Sequence, residues 1–232
     1  MKMSTDQEEL ETEVEDGGEI ITLFGIEGGV GNQFVKLALS AGYYVHALSP
    51  IPIDLEHEFL TVVEGDCTSV DDDVLEDLLR DSTYVVCLLS DSIVKKDYPE
   101  GLLFNFVQKL YPMMKESPVQ LFVYQATATT ADTRGKSPVF ANVVKYIRRN
   151  AYLKDQDKIT QFIGENSCDW FKYIVTRPGL TREGPSKKRL AASKSQPGPL
   201  PVTNVDLAEF TLSALRIEKL YNTCPYVVGD GF

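Results

Sequence analysis

The chain has 232 residues, 43% of them apolar, and a net charge of −11, which fits one globular domain with a sizeable core. That acidity argues against nucleic acid as a general partner, and no apolar run approaches the roughly 20 residues that span a membrane. The four cysteines, Cys67, Cys87, Cys168 and Cys224, lie far apart, with no C-x-x-C. They read as reduced thiols of a reducing compartment. The two histidines, His46 and His57, do not cluster with them, so no metal site is expected.

Residues 1–18 hold seven acids and one lysine, a net −6. The segment is expected to be a disordered, solvating tail, with a docking role as the alternative; residues 19–232 form the domain. An acidic start resembles neither a signal peptide nor an Arg-rich transit peptide. A cytoplasmic location is expected, and an organellar one after removal of a transit peptide stays open.

From Glu19 the pattern alternates. EIITLFG (19–25) is a nearly continuous apolar run, as in a strand buried on both faces. Val30, Phe34, Leu37 or Ala38, and Ala41 then recur at helical spacing. YYVHALS (43–49) and LTVVEG (60–65) are the next strands, and VDDDVLEDLLR (70–80) is a short helix with acids where the dipole favours them. A fourth strand (83–89), a helix (101–115) and a fifth strand (119–125) follow. Residues 126–138 are a polar loop, and a helical region covers about 139–166 with a break near Asn150. A sixth strand (171–179), a loop (180–201), a helix (204–219) capped by Asn204 and a last strand (225–229) complete the chain. Strands alternating with helices predict a single α/β domain. Its sheet is doubly wound, mostly parallel and Rossmann-type, with a small C-terminal lobe formed around the 180–201 loop.

The most informative stretch is GIEGGVG (25–31), between the first strand and the first helix. Gly25, Gly28 and Gly31 give G-x-x-G-x-x-G, with Gly29 and Val30 between them. Such glycines serve a tight turn, a close approach of backbone to pyrophosphate, and close packing of helix on strand. Phosphates then sit on the free N–H groups of the helix N-terminus. Glu27 stands within this turn and, if its side chain points inward, adds repulsion toward pyrophosphate.

The run ITLFGIEGGVGNQFVKLALSAGYYVHALSP (21–50) resembles the first βαβ unit of the atypical short-chain dehydrogenase/reductases, NAD(P)-binding Rossmann proteins that include NmrA-like regulators and biliverdin/flavin reductases. VVEGDCTSVDDDVLEDLL, LFVYQATA, YIVTRPGLTREGP and PVTNVDLAEFTLSAL continue the likeness in order and spacing through almost the whole chain. The resemblance implies that Asp66 contacts adenine, that Leu88 and Leu89 at the end of the fourth strand border the cofactor, and that Pro178 lies on the strand beside the nicotinamide.

The chain departs from these relatives in two respects. Many of them use Tyr-x-x-x-Lys on the helix after the fifth strand as the proton donor. Here Tyr111 and Lys115 have the spacing but precede that strand, while Tyr146, Tyr152, Lys154 and Lys158 do not form the pair. Thr127 replaces the active Ser, so Thr127 and Lys158 become the candidate catalytic contacts. Around the second strand, Ser49, Asp54 and Glu56 offer no base for a 2′-phosphate. An acid in this region favours a ribose diol, so binding of NAD or NADP is expected to lean toward NAD, or to be weak or lost. The basic loop REGPSKKRLAASK (182–194) carries five bases and one acid. It reads as a solvated loop, with an anion-attracting lid or a surface for an acidic partner as the alternative. Two functions remain. The first is an NAD(P)-dependent oxidoreductase passing hydride to a conjugated small-molecule acceptor such as a flavin or quinone, for which solvent supplies the proton. The other is a non-catalytic Rossmann-fold regulator, dinucleotide sensor or structural subunit.

Overall fold

The computed structural model describes residues 18–89, 98–128, 150–187, 189–194 and 201–229. The elements are β1 (Ile20–Phe24), α1 (Gly29–Ser40), β2 (Tyr44–Ser49), β3 (Leu60–Glu64), α2 (Asp72–Leu79), β4 (Tyr84–Cys87), α3 (Leu102–Lys115), β5 (Leu121–Gln125), α4 (Asn150–Glu165), β6 (Lys172–Pro178), β7 (Thr181–Arg182), β8 (Leu190–Ser193), β9 (Val202–Thr203), α5 (Asn204–Ala214), a single 3₁₀ turn (Glu218–Leu220) and β10 (Tyr226–Gly229). The acidic tail through residue 17 and the expected helix before Asn150, with Tyr146, lie outside the described residues.

Eight strands form one sheet in the order β3-β2-β1-β4-β5-β6-β10-β8. All pairs are parallel except β10–β8. Every residue of β4 and β5 is buried, which is why their sequences are apolar but for the closing Gln125: helices cover both faces of a parallel sheet. On one face α1 and α5 pack together, bringing Val30, Phe34, Leu207 and Phe210 against Leu23 and Val86. On the other, α2, α3 and α4 bury Leu75, Phe106, Leu110 and Ile163 against Phe24, Val85 and Phe122.

Strand order reverses at β1, which pairs with β2 on one side and β4 on the other. The loops leaving β1 and β4 therefore diverge and open a crevice at the C-terminal edge of the sheet. The glycine turn lies at that edge.

Three expectations need correction. The 180–201 segment is not wholly loop. It contains β7, which pairs with β9 in a small two-stranded lobe, and β8, which extends the main sheet beside β10. LAAS has neither the length nor the large apolar residues that mark a strand in sequence, and only the open edge of β10 makes it one. The cap of α5 is Thr203, whose hydroxyl accepts the Asp206 N–H at 3.2 Å, and Asn204 is the first helical residue. Finally, α5 ends at Ala214 and the chain turns at Leu215–Ile217, where the expectation ran the helix on to Lys219.

Candidate functional site

The turn between β1 and α1 requires its glycines at two positions. Gly25 has φ +94°, and a Cβ there would lie 2.7 Å from the Leu88 carbonyl carbon; this contact brings the ends of β1 and β4 together. A Cβ on Gly31 would fall on the Gly25 carbonyl oxygen. The turn closes through Gly28 N–H to Gly25 O at 3.1 Å. Gly28, the cap position of α1, supplies no side chain to the first turn, and that turn holds no acid. The first turn of this 12-residue helix thus has no side-chain cap, and an uncapped helix N-terminus is the arrangement that receives an anion. Val30 is fully buried under the turn.

Beside the turn is a cavity of about 300 Å³. Its walls come from the ends of β1 to β4 and the start of α3: Phe24, Leu48, Pro50, Ile51, Leu89 and Leu102 are apolar, while Glu27, Asp66 and Thr68 are polar. Glu27 points inward. Its Oε2 atom is buried and has no hydrogen-bond partner. Asp66 shapes the β3–α2 turn, its Oδ1 accepting the Thr68 N–H at 2.8 Å. Cys67 shares the wall; burial, with Asp66 and Glu27 nearby, pushes its thiol up to about 12. Burial likewise pushes the Cys87 thiol up to about 12, so both remain protonated and unreactive at neutral pH. Ser49 is fully buried and folds back on its own turn, donating to Ile51 O at 2.7 Å and accepting the Ile51 N–H at 3.3 Å. Asp54 and Glu56 are exposed on the loop beyond and are not among the cavity's walls.

Thr127 and Pro178 meet at the ends of β5 and β6. Ala126 N–H bonds Thr176 O and Ala128 N–H bonds Pro178 O, each at 2.9 Å, so the half-buried Thr127 is held between two ladder contacts. Lys158 is engaged elsewhere. On α4, half-exposed, it pairs with Glu100 at 3.8 Å and stands 5.7 Å over the Phe104 ring. The Tyr111–Lys115 spacing is structural, as expected: the Tyr111 ring packs on Phe162, Trp170 and Phe171. On α4, the residue four after Tyr152 is Gln156, whose amide donates to the Tyr124 hydroxyl at 2.8 Å.

Two contributors escape a reading of the sequence. The Asn204 amide lies over the glycine turn, where a Cβ on Gly29 would strike it; the two positions are far apart in the chain, and only α1–α5 packing joins them. Tyr98 also walls the cavity. It donates to the fully buried Asp155 at 2.7 Å and accepts the Leu103 N–H at 3.0 Å, while Asp155 also accepts the Gly101 N–H at 2.9 Å. Burial and the Asp155 bond hold the Tyr98 phenol far above its ordinary range, so it is a wall and not an acid. Sequence offered no signal for Asp155 beyond an acid on an amphipathic helix.

A glycine cradle that side chains would fill, an open helix N-terminus and a cavity with an orphaned buried acceptor together fit a dinucleotide. Gly25–Gly31 would meet its phosphates and the cavity its nucleoside. No described helix is long and apolar enough to cross a membrane, and no metal-binding cluster occurs among the described residues.

The comparisons agree with this geometry. No curated protein matches the chain. Among solved structures it is similar to ChuY, an anaerobilin reductase from Escherichia coli O157:H7, with TM-score 0.69 and 15% identity over 92% of this chain and 98% of that one. It is equally similar to a short-chain dehydrogenase/reductase from Veillonella parvula in complex with NADP, with TM-score 0.70 and 15% identity over 92% and 95%. At such identities the likeness speaks for the fold. A family model described as NAD(P)H-binding matches residues 25–218, from the first glycine of the turn to just beyond α5, and the chain belongs to that NAD(P)H-binding family, with the atypical short-chain reductase fold.

Proposed function

We propose that the protein is an NAD(P)H-dependent reductase that leans toward NAD and passes hydride to a conjugated acceptor such as a flavin or quinone. One observation carries the choice of acceptor: the helix that would hold a Tyr-x-x-x-Lys donor instead has Gln156 four residues after Tyr152, bonded inward to Tyr124. Simple ketones need a proton delivered to oxygen as hydride arrives, and Thr127 has too high a pKa to deliver it. Conjugated acceptors delocalise the incoming charge and take the proton from solvent. The dinucleotide, when bound, supplies the hydride.

In this reading the N–H groups at Gly28–Gly31 hold the pyrophosphate, with Gly29 leaving room for it. Asp66 borders the adenine, Leu88 and Leu89 line the crevice, and Ser49 sets the β2 turn. Pro178 and Thr127 border the reacting end, where Thr127 orients the acceptor. Lys158, paired with Glu100 on α4, stands apart from the cavity walls and would contribute at most to the field that an anionic acceptor meets. Structural likeness to ChuY, an anaerobilin reductase, supports this class. The lean toward NAD is supported by the absence of any Lys or Arg among the described residues lining the cavity.

The test is oxidation of NADH and NADPH against a panel of flavins, quinones, aldehydes and ketones. Turnover is expected with flavins or quinones only. Efficient ketone reduction would reveal an overlooked acid. No turnover with any acceptor would favour the non-catalytic sensor.

A further inference from the structure

Rossmann sites that take a ribose diol commonly place an acid at the end of the second strand. Here that position is Ser49, and its hydroxyl is consumed by Ile51. The acids beyond it, Asp54 and Glu56, are exposed on the loop and stand apart from the cavity walls. Glu27 reaches the cavity from the opposite side, out of the glycine turn, and shares its walls with Leu48, Pro50 and Ile51 at the β2 end. Its Oε2 is buried without a partner. An unsatisfied carboxylate oxygen is costly, and Glu27 as a whole is only partly buried and lines the cavity, so a small rotation of its carboxylate presents it to a donor that arrives with a ligand.

We infer that Glu27 is the acceptor for the adenosine ribose hydroxyls, and that it makes the nucleoside site select the free diol over the 2′-phosphate. This rests on the dinucleotide reading above and deepens it: the acid that specifies the diol has moved from the second strand into the phosphate turn. A carboxylate at that spot accepts two hydroxyl protons from a diol and repels a phosphate dianion in a cavity with apolar walls. The same placement directs the charge at the ribose and away from the pyrophosphate, so Glu27 is a contact and not an obstacle.

The test uses ADP-ribose and its 2′-phosphate as probes, so that neither hydride chemistry nor an acceptor enters. Binding to the full chain is measured by calorimetry for the wild type, Glu27→Gln and Glu27→Ala, with circular dichroism as the check on folding. The wild type should bind ADP-ribose at least about tenfold more tightly than the 2′-phosphate. Both variants should bind ADP-ribose severalfold more weakly and the 2′-phosphate more tightly, collapsing the ratio. An unchanged ratio in either folded variant overturns the assignment, as does tighter ADP-ribose binding, which would mean that Glu27 repels the pyrophosphate. Wild-type preference for the 2′-phosphate, or no binding of either probe, overturns it too. Selective binding without turnover would sink the reductase reading and leave this assignment standing.

Discussion

Within one turn the glycines answer to different constraints. Gly31 is required by backbone: a Cβ there has nowhere to go, because it meets the Gly25 carbonyl. The nearest atoms to a Cβ on Gly29, among the described residues, belong to the end of the Asn204 side chain, which can rotate away. Gly31→Ala is therefore expected to cost at least about 3 kcal/mol or to prevent folding. Gly29→Ala should change stability by less than about 1 kcal/mol, since alanine favours the helix. Urea midpoints for the two variants separate these outcomes, and equal losses would refute the distinction. The glycine spacing was legible in the sequence, as was the crowding it implies. The direction of Glu27 was not, because a side chain in a turn can face the ligand or the solvent, and only the packed neighbours decide.

At the scale of elements, the start of α3 depends on α4. Gly101, the cap residue of α3, offers no side chain. Asp155 substitutes from across the interface, accepting the Gly101 N–H and the Tyr98 hydroxyl. Asp155→Ala leaves the buried Tyr98 hydroxyl and the partly buried Gly101 N–H without an acceptor and is expected to destabilise by about 2–3 kcal/mol. Tyr98→Phe removes one donor and leaves the Leu103 N–H unpaired, for a loss of about 1–2 kcal/mol. Chemical denaturation checks the order, and a larger loss for Tyr98→Phe would overturn it. Because Tyr98 also walls the cavity beside the glycine turn, this cap ties the stability of α3 to the shape of that cavity.

For the whole molecule, the segment after β6 matters most. It returns through β7, crosses to β8 at the sheet edge, and comes back through β9 into α5. Asp206, nearly buried in the first turn of α5, clamps this excursion: it accepts the Ser186 hydroxyl at 2.7 Å and the Lys187 N–H at 3.2 Å. The basic stretch is therefore anchored at its start. Asp206→Ala should speed tryptic cleavage after Lys187 severalfold while leaving the circular dichroism spectrum nearly unchanged. Unaltered cleavage would show that β7–β9 pairing alone holds the segment.

The sequence by itself determined the strand–helix alternation, the parallel class of the sheet and the glycine turn between β1 and α1. These depend on local periodicity and on backbone positions where only glycine fits, and both are written in consecutive residues. Tertiary structure decided the rest. LAAS became a strand because β10 offered an unpaired edge, Asn204 reached the turn because α5 packs on α1, and Asp155 capped a helix it does not belong to. Each is a contact between distant segments, with an energy that no local pattern encodes, and the orphaned oxygen of Glu27 is recognised only once the walls of the cavity are in place.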